Sequence, residues 1–96
     1  MTEHLYIVAY DIAAPRRWRK VFRTLSAYGD WVQLSVFQCR MSRMRHAELI
    51  ALLDGIILHE QDHVLIMDVG VTNDVAPHIV SLGKAFNVVD RAPVII

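Results

Sequence analysis

Ninety-six residues with a formal net charge of zero are enough for one domain over 1–96 and too few for two, and a chain this short buries only a modest core. The lone Cys39 excludes an internal disulfide and a cysteine zinc cluster and points to a reducing compartment. The opening Met-Thr-Glu-His lacks the basic start and apolar core of a signal peptide, and no apolar run approaches a membrane span, so a soluble, cytoplasmic protein with no membrane partner is expected. At 54% hydrophobic residues the chain is rich for its size. A second copy is the simplest cover for that surface, so a homodimer is expected.

The zero net charge hides a division. Residues 16–45 carry eight Arg or Lys against Asp30 alone, whereas residues 46–96 carry two against seven acids. A polyanion is therefore a plausible partner despite the neutral balance.

The first stretch, Leu5 to Asp11, is apolar and β-branched or aromatic until it meets a carboxylate, and reads as a strand buried on both faces with Asp11 at its end. Pro15 then suits a helix N1 position. That helix is expected from Pro15 to about Tyr28, with Trp18, Val21, Phe22, Leu25 and Tyr28 as its apolar stripe and Gly29 as its C-cap. Arg16, Arg17, Arg19, Lys20 and Arg23 fall outside the stripe and face water or an anionic ligand. Strand end, helix start and cations converge on Asp11, which suits a metal ion and a phosphate; the alternative is an ordinary turn residue ahead of a helix.

Residues 31–41 alternate as a strand up to Val36 and then change phase at Phe37 and Cys39, which leaves open one long bent strand or two short ones. Ser42 is expected to cap a second helix running to about Leu58, with Leu49, Leu52, Leu53, Ile56 and Ile57 as its stripe and Gly55 weakening its last turn. Val64–Gly70 reads as another buried strand. Thr72–Pro77 is turn-like, and Pro93–Ile96 is expected to pair with a sheet edge, that of a second copy included.

His59-Glu-Gln-Asp-His63 spells the zinc-hydrolase pattern H-E-x-x-H, which requires a helix through both histidines. Here the helical stripe fades at Leu58 and a strand begins at Val64, so the two imidazoles belong to a loop and zinc hydrolysis is set aside. Asp11 alone is a thin metal site, and two copies meeting on a two-fold axis could clamp one ion between them. Asp68 is the intramolecular alternative for a second carboxylate.

Tyr10-Asp11-Ile12, Arg16-Arg17-x-Arg19-Lys20-Val21, Tyr28-Gly29 and Val32-Gln33-x-Ser35-Val36-Phe37-x-Cys39 resemble the small CRISPR-associated adaptation nuclease family, Cas-two. The resemblance is close over about residues 5–41. It implies an α+β, ferredoxin-like βαββαβ sandwich with an extra C-terminal strand, assembled as a homodimer whose strand-end aspartates face each other. It further implies an antiviral spacer-acquisition role, in which the dimer bridges the Cas-one integrase and lies along duplex DNA, and metal-dependent endonuclease activity on RNA or DNA with Mg2+ or Mn2+. Carried over to this chain, Tyr10 and Asp11 are catalytic and Asp11 is the metal ligand. Arg16, Arg17, Arg19, Lys20 and Arg23 bind nucleic acid, and Ser35 and Phe37 support the dimer and active-site region. Ala13 and Ala14 depart from the polar or acidic residues that many members carry there. The competing readings are a non-catalytic DNA-binding scaffold and a ferredoxin-like metabolite-binding regulatory module.

Overall fold

The computed structural model describes residues 2–72 together with 80, 82 and 83. Its elements alternate as expected: β1 (His4–Asp11), α1 (Pro15–Ser26), β2 (Asp30–Gln33), β3 (Val36–Met41), α2 (Arg43–Ile56) and β4 (His63–Val71). The strands form one sheet in the order β2-β3-β1-β4, antiparallel throughout. That is the ferredoxin-like βαββαβ arrangement, with β1 central. The expected extra C-terminal strand, and most of the turn beyond Thr72, lie outside the described residues.

Alternation along β1 explains how its apolar run is used. Tyr6, Val8 and Tyr10 join Phe37 and Cys39 of β3, Val21, Phe22 and Leu25 of α1 and Leu49 and Leu53 of α2 in the core. Each fully buried aliphatic or aromatic side chain there contributes about 1.5–3 kcal/mol relative to exposure. The intervening Ile7 and Ala9 point to the other face, where they are only half-buried. The expectation of burial on both faces is therefore corrected in part: the helices cover one face of the sheet, and among the described residues of β1 on the second face Leu5 is buried but Ile7 and Ala9 are only half-buried. The same correction applies to β4, the last strand of the sheet among the described residues, whose Leu65 and Met67 are each 46% exposed.

Both helices end earlier than their sequences suggest. α1 stops at Ser26 with Ala27 as its C-cap, and α2 stops at Ile56 with Ile57 as its C-cap. Gly29 is thus no C-cap. Its backbone runs so close to β3 that a Cβ there would meet the Cys39 Sγ and Cα and the Gln38 carbonyl oxygen. In α2 the Ser42 hydroxyl accepts from the Arg45 N–H at 3.3 Å, as a capping serine should. Leu49 and Leu53 are buried and Leu52 is exposed, so the apolar stripe is narrower than the sequence implied.

Residues 31–41 form two strands, with Leu34 and Ser35 as a hairpin turn that contains no glycine. Leu34 adopts φ 41°, a conformation costing a bulky residue about 1–2 kcal/mol. The Trp31 indole N–H donates to the Leu34 carbonyl at 2.9 Å and holds the turn. That side chain-to-backbone bond replaces the Asn-Gly signal whose absence left the segment ambiguous.

Candidate metal centre and nucleic-acid interface

Asp11 is the last residue of the central strand, and its side chain is exposed on the open face. In the β1–β4 register it stands opposite His63, which is also exposed. The chain reverses immediately after it into α1, whose N-cap, Ala14, has no side chain to accept a hydrogen bond and whose first turn holds no acid.

What fixes that reversal is Asp62, which the sequence pattern did not single out. Its side chain has no exposed surface. One carboxylate oxygen accepts from the Ala13 N–H at 2.8 Å and from Arg17 Nη2 at 3.2 Å, and the other accepts from Arg17 Nε at 2.7 Å and from the Leu58 N–H at 2.8 Å. Arg17 Nη2 also reaches Gln61 Oε1 at 3.2 Å. The turn after β1, the first turn of α1 and the α2–β4 connection are therefore tied at one carboxylate. The Arg17 guanidinium holds the Asp62 carboxyl well below the usual carboxylate range; desolvation opposes it, and the Leu58 and Ala13 amides assist.

This geometry gives Arg17 a structural task that the sequence did not suggest. Its Nε and Nη2 are engaged with Asp62, which leaves less of the guanidinium for a phosphate. Arg16, Arg19, Lys20 and Arg23 are exposed, and their spacing i, i+3, i+4, i+7 puts them within an arc of about 100° on the side of α1 away from Val21, Phe22 and Leu25. Arg17 lies off that stripe. Its position, with an uncapped helix start beside it, was the one signal in the sequence for a buried acid elsewhere.

Tyr10 and Asp11 are neighbours in sequence and opposed in space. Tyr10 is buried among Trp18 and Phe37, on the helix side of the sheet, as strand alternation requires. Burial pushes its phenol up to about 12, and the neighbouring Ser35 side chain offsets that only in part, without reaching hydrogen-bond geometry with the buried hydroxyl. Ser35 joins the hairpin to the site: its carbonyl accepts the Tyr10 N–H at 3.0 Å and its hydroxyl accepts the Trp18 indole N–H at 3.3 Å. Phe37 has no exposed surface and packs edge-on against Phe22, with centroids 5.2 Å apart. It supports the site from within the core, which corrects its expected place at a dimer interface. Burial, and to a lesser degree Asp30, pushes the Cys39 thiol up to about 12, so it stays a protonated core side chain.

Asp68 is not the second carboxylate of the Asp11 site. It pairs with Tyr6 in register, five residues from Asp11 along β1, or about 17 Å at strand rise. There its two oxygens meet His4 Nδ1 at 2.9 and 3.0 Å. The H-E-x-x-H run is not helical: His59 lies in a turn and pairs with Asp54 at 3.0 Å, while His63 opens β4. Among the described residues no three His, Cys, Asp or Glu side chains are grouped to hold a metal ion, and no helix is long and apolar enough to cross a membrane. A hard cation at Asp11 would have one carboxylate, solvent and substrate oxygens, a donor set compatible with Mg2+ or Mn2+.

The described residues thus form a small ferredoxin-like domain with an exposed carboxylate at the end of its central strand and a basic first helix. The sequence profile described as CRISPR associated protein Cas2 matches residues 4–75, and the chain belongs to that family. It is 52% identical over 94 residues to a Rhodospirillum rubrum protein named CRISPR-associated endoribonuclease Cas2 1, covering 98% of this chain and 92% of the relative. It is 49% identical to a Geobacter sulfurreducens protein named CRISPR-associated endoribonuclease Cas2, covering 98% of this chain and 99% of that one. A crystal structure described as cas2 superposes with a TM-score of 0.71 at 31% identity, covering 86% of this chain and 92% of the other.

Proposed function

We propose that this chain is a metal-dependent endoribonuclease of CRISPR adaptation whose catalytic carboxylate is Asp11. The observation that carries the reading is the exposed Asp11 carboxylate at the end of the central strand, four residues before a helix with four exposed cations on one face. Both near relatives are named endoribonucleases. A divalent cation, when bound, supplies Lewis acidity at the scissile phosphate. Asp11 holds that cation. Arg16 and its stripe orient the polyanion, and the Asp62 knot fixes the backbone on which Asp11 sits. Tyr10 acts from the core as a positioning residue, because its hydroxyl is buried away from the open face.

The working unit is a homodimer. Its support is that, among the described residues, Ile7, Ala9, Val36, Leu65 and Met67 keep apolar surface exposed across adjacent strands of the sheet face opposite the helices. Packing two such faces about a two-fold axis would also double the strand-end carboxylates. In this reading the paired α1 stripes grip duplex nucleic acid without sequence preference, since phosphate contacts carry no base information, and the dimer bridges copies of the Cas-one integrase.

The test is a matched pair of variants. Asp11→Asn keeps the side-chain shape and removes the charge that a hard cation needs, so cleavage of labelled RNA should disappear while duplex binding and dimer mass persist. Tyr10→Phe should keep cleavage. A fully active Asp11→Asn protein, or a dead but folded Tyr10→Phe protein, would overturn these assignments, and a monomer mass by light scattering at micromolar concentration would remove the dimer.

A further inference from the structure

The second histidine of the H-E-x-x-H run has a place that its sequence context did not suggest. The antiparallel register pairs Asp11 of β1 directly with His63 of β4. Directly opposed residues share a face, with Cβ atoms about 4.5–5.5 Å apart. Both residues are exposed, and neither takes part in any ion pair among the described residues. The backbone beneath them is fixed on both sides: strand pairing sets the register, and Asp62, next to His63, binds the turn that follows Asp11 through the Ala13 N–H. An imidazole and a carboxylate thus stand side by side on rigid strands, open to solvent.

We propose that His63 and Asp11 together form a mixed imidazole–carboxylate site that takes a first-row transition ion, with Mn2+ preferred over Mg2+. Mg2+ holds its octahedron of oxygen ligands and gains little from an imidazole, whereas Mn2+ and the later divalent ions of the series accept nitrogen readily. The proposal rests on the reading of Asp11 as the metal ligand and adds to it a second ligand and a metal preference. The two ligands cover a small part of the coordination shell, which leaves positions for water and for phosphate oxygens.

Binding is read without catalysis, by the electron paramagnetic resonance signal of free Mn2+ during titration of the intact protein at pH 7.5, and by Mg2+ competition against it. The wild-type chain should bind Mn2+ about tenfold or more tightly than Mg2+. His63→Gln should lose that preference, with Mn2+ affinity falling at least about tenfold, the lower end of what supporting groups of metal sites contribute, and Mg2+ affinity unchanged. Asp11→Asn should lose both ions. His59→Gln, a change at the other histidine of the run, should alter neither. Because His63 and Asp11 are on the surface, circular dichroism should report folded variants. An unchanged Mn2+ preference in His63→Gln, with binding still lost in Asp11→Asn, overturns the role of His63 and leaves Asp11 standing. Mn2+ binding that survives Asp11→Asn overturns the metal role of Asp11 itself, and equal affinities of the wild-type chain for the two ions overturn the preference.

Discussion

Arg17 and Arg19 are two residues apart on a basic helix, and the structure sets them in different surroundings, whose consequence for the proposed duplex binding one salt titration can measure. Arg17 donates to Asp62 at 2.7 Å, whereas Arg19 belongs to the exposed stripe with Arg16, Lys20 and Arg23. Arg17→Gln and Arg19→Gln remove the same charge, so their long-range effects on a polyanion match and only direct contacts differ. In the proposed dimer, with both α1 stripes on a duplex, Arg19→Gln would withdraw two phosphate contacts, which reduces the slope of log affinity against log salt by about 1.8 at 0.9 per contact. Between 50 and 200 mM salt, wild-type affinity for a short duplex should therefore fall about 12-fold more than that of Arg19→Gln. Arg17→Gln should keep the wild-type slope and instead melt at a lower temperature, because it weakens a pair whose carboxylate has no solvent to turn to. Fluorescence anisotropy at several salt concentrations measures the slopes, and thermal melting measures the other arm. If Arg17→Gln reduces the slope as much as Arg19→Gln, Arg17 contacts phosphate and the division of labour on α1 is refuted.

Asp62 makes stability depend on acid. Its folded carboxyl titrates below the unfolded one, so the unfolded chain binds the extra proton between the two values, and stability falls as pH drops from the ordinary carboxylate range near 4 toward the folded value; Asp62→Asn should be less stable at pH 7 and lose this part of the pH dependence in denaturant melts from pH 7 to 2. Leu34→Gly should raise stability by up to about 1.5 kcal/mol in the same melts, since a left-handed leucine costs about 1–2 kcal/mol against glycine's entropy penalty of about 0.5–1 kcal/mol. Gly29→Ala should cost at least about 2 kcal/mol by urea unfolding, and Cys39→Ala should not rescue it, because the Gln38 carbonyl and the Cys39 Cα are backbone atoms that also stand in the way.

Periodicity made the elements of this chain legible. The apolar run ending at Asp11, Pro15 at a helix start and Ser42 at a cap correspond to β1, α1 and α2 in the structure. What periodicity could not convey is which apolar face meets a helix within the same chain. Ile7, Leu65 and Met67 carry the same hydrophobic signature as buried strand residues, yet the structure leaves them partly or substantially open. Helix ends were overextended for a related reason: Tyr28 packs against the core beyond the last turn of α1, so it continues the stripe without continuing the helix.

The candidate site was harder to read, because its organisation depends on register and not on period. Tyr10 and Asp11 are adjacent in sequence, and a single step along a strand sends one into the core and the other to the open face. Arg17 and Asp62 are separated by 45 positions, and Asp11 and His63 by more, yet both pairs meet because β4 lies antiparallel against β1 with its start beside the end of that strand. A cation tied to a buried acid and a cation exposed to solvent look alike in sequence. The strand pairing that brings the α2–β4 turn under α1 separates them, and the same pairing sets an imidazole beside Asp11.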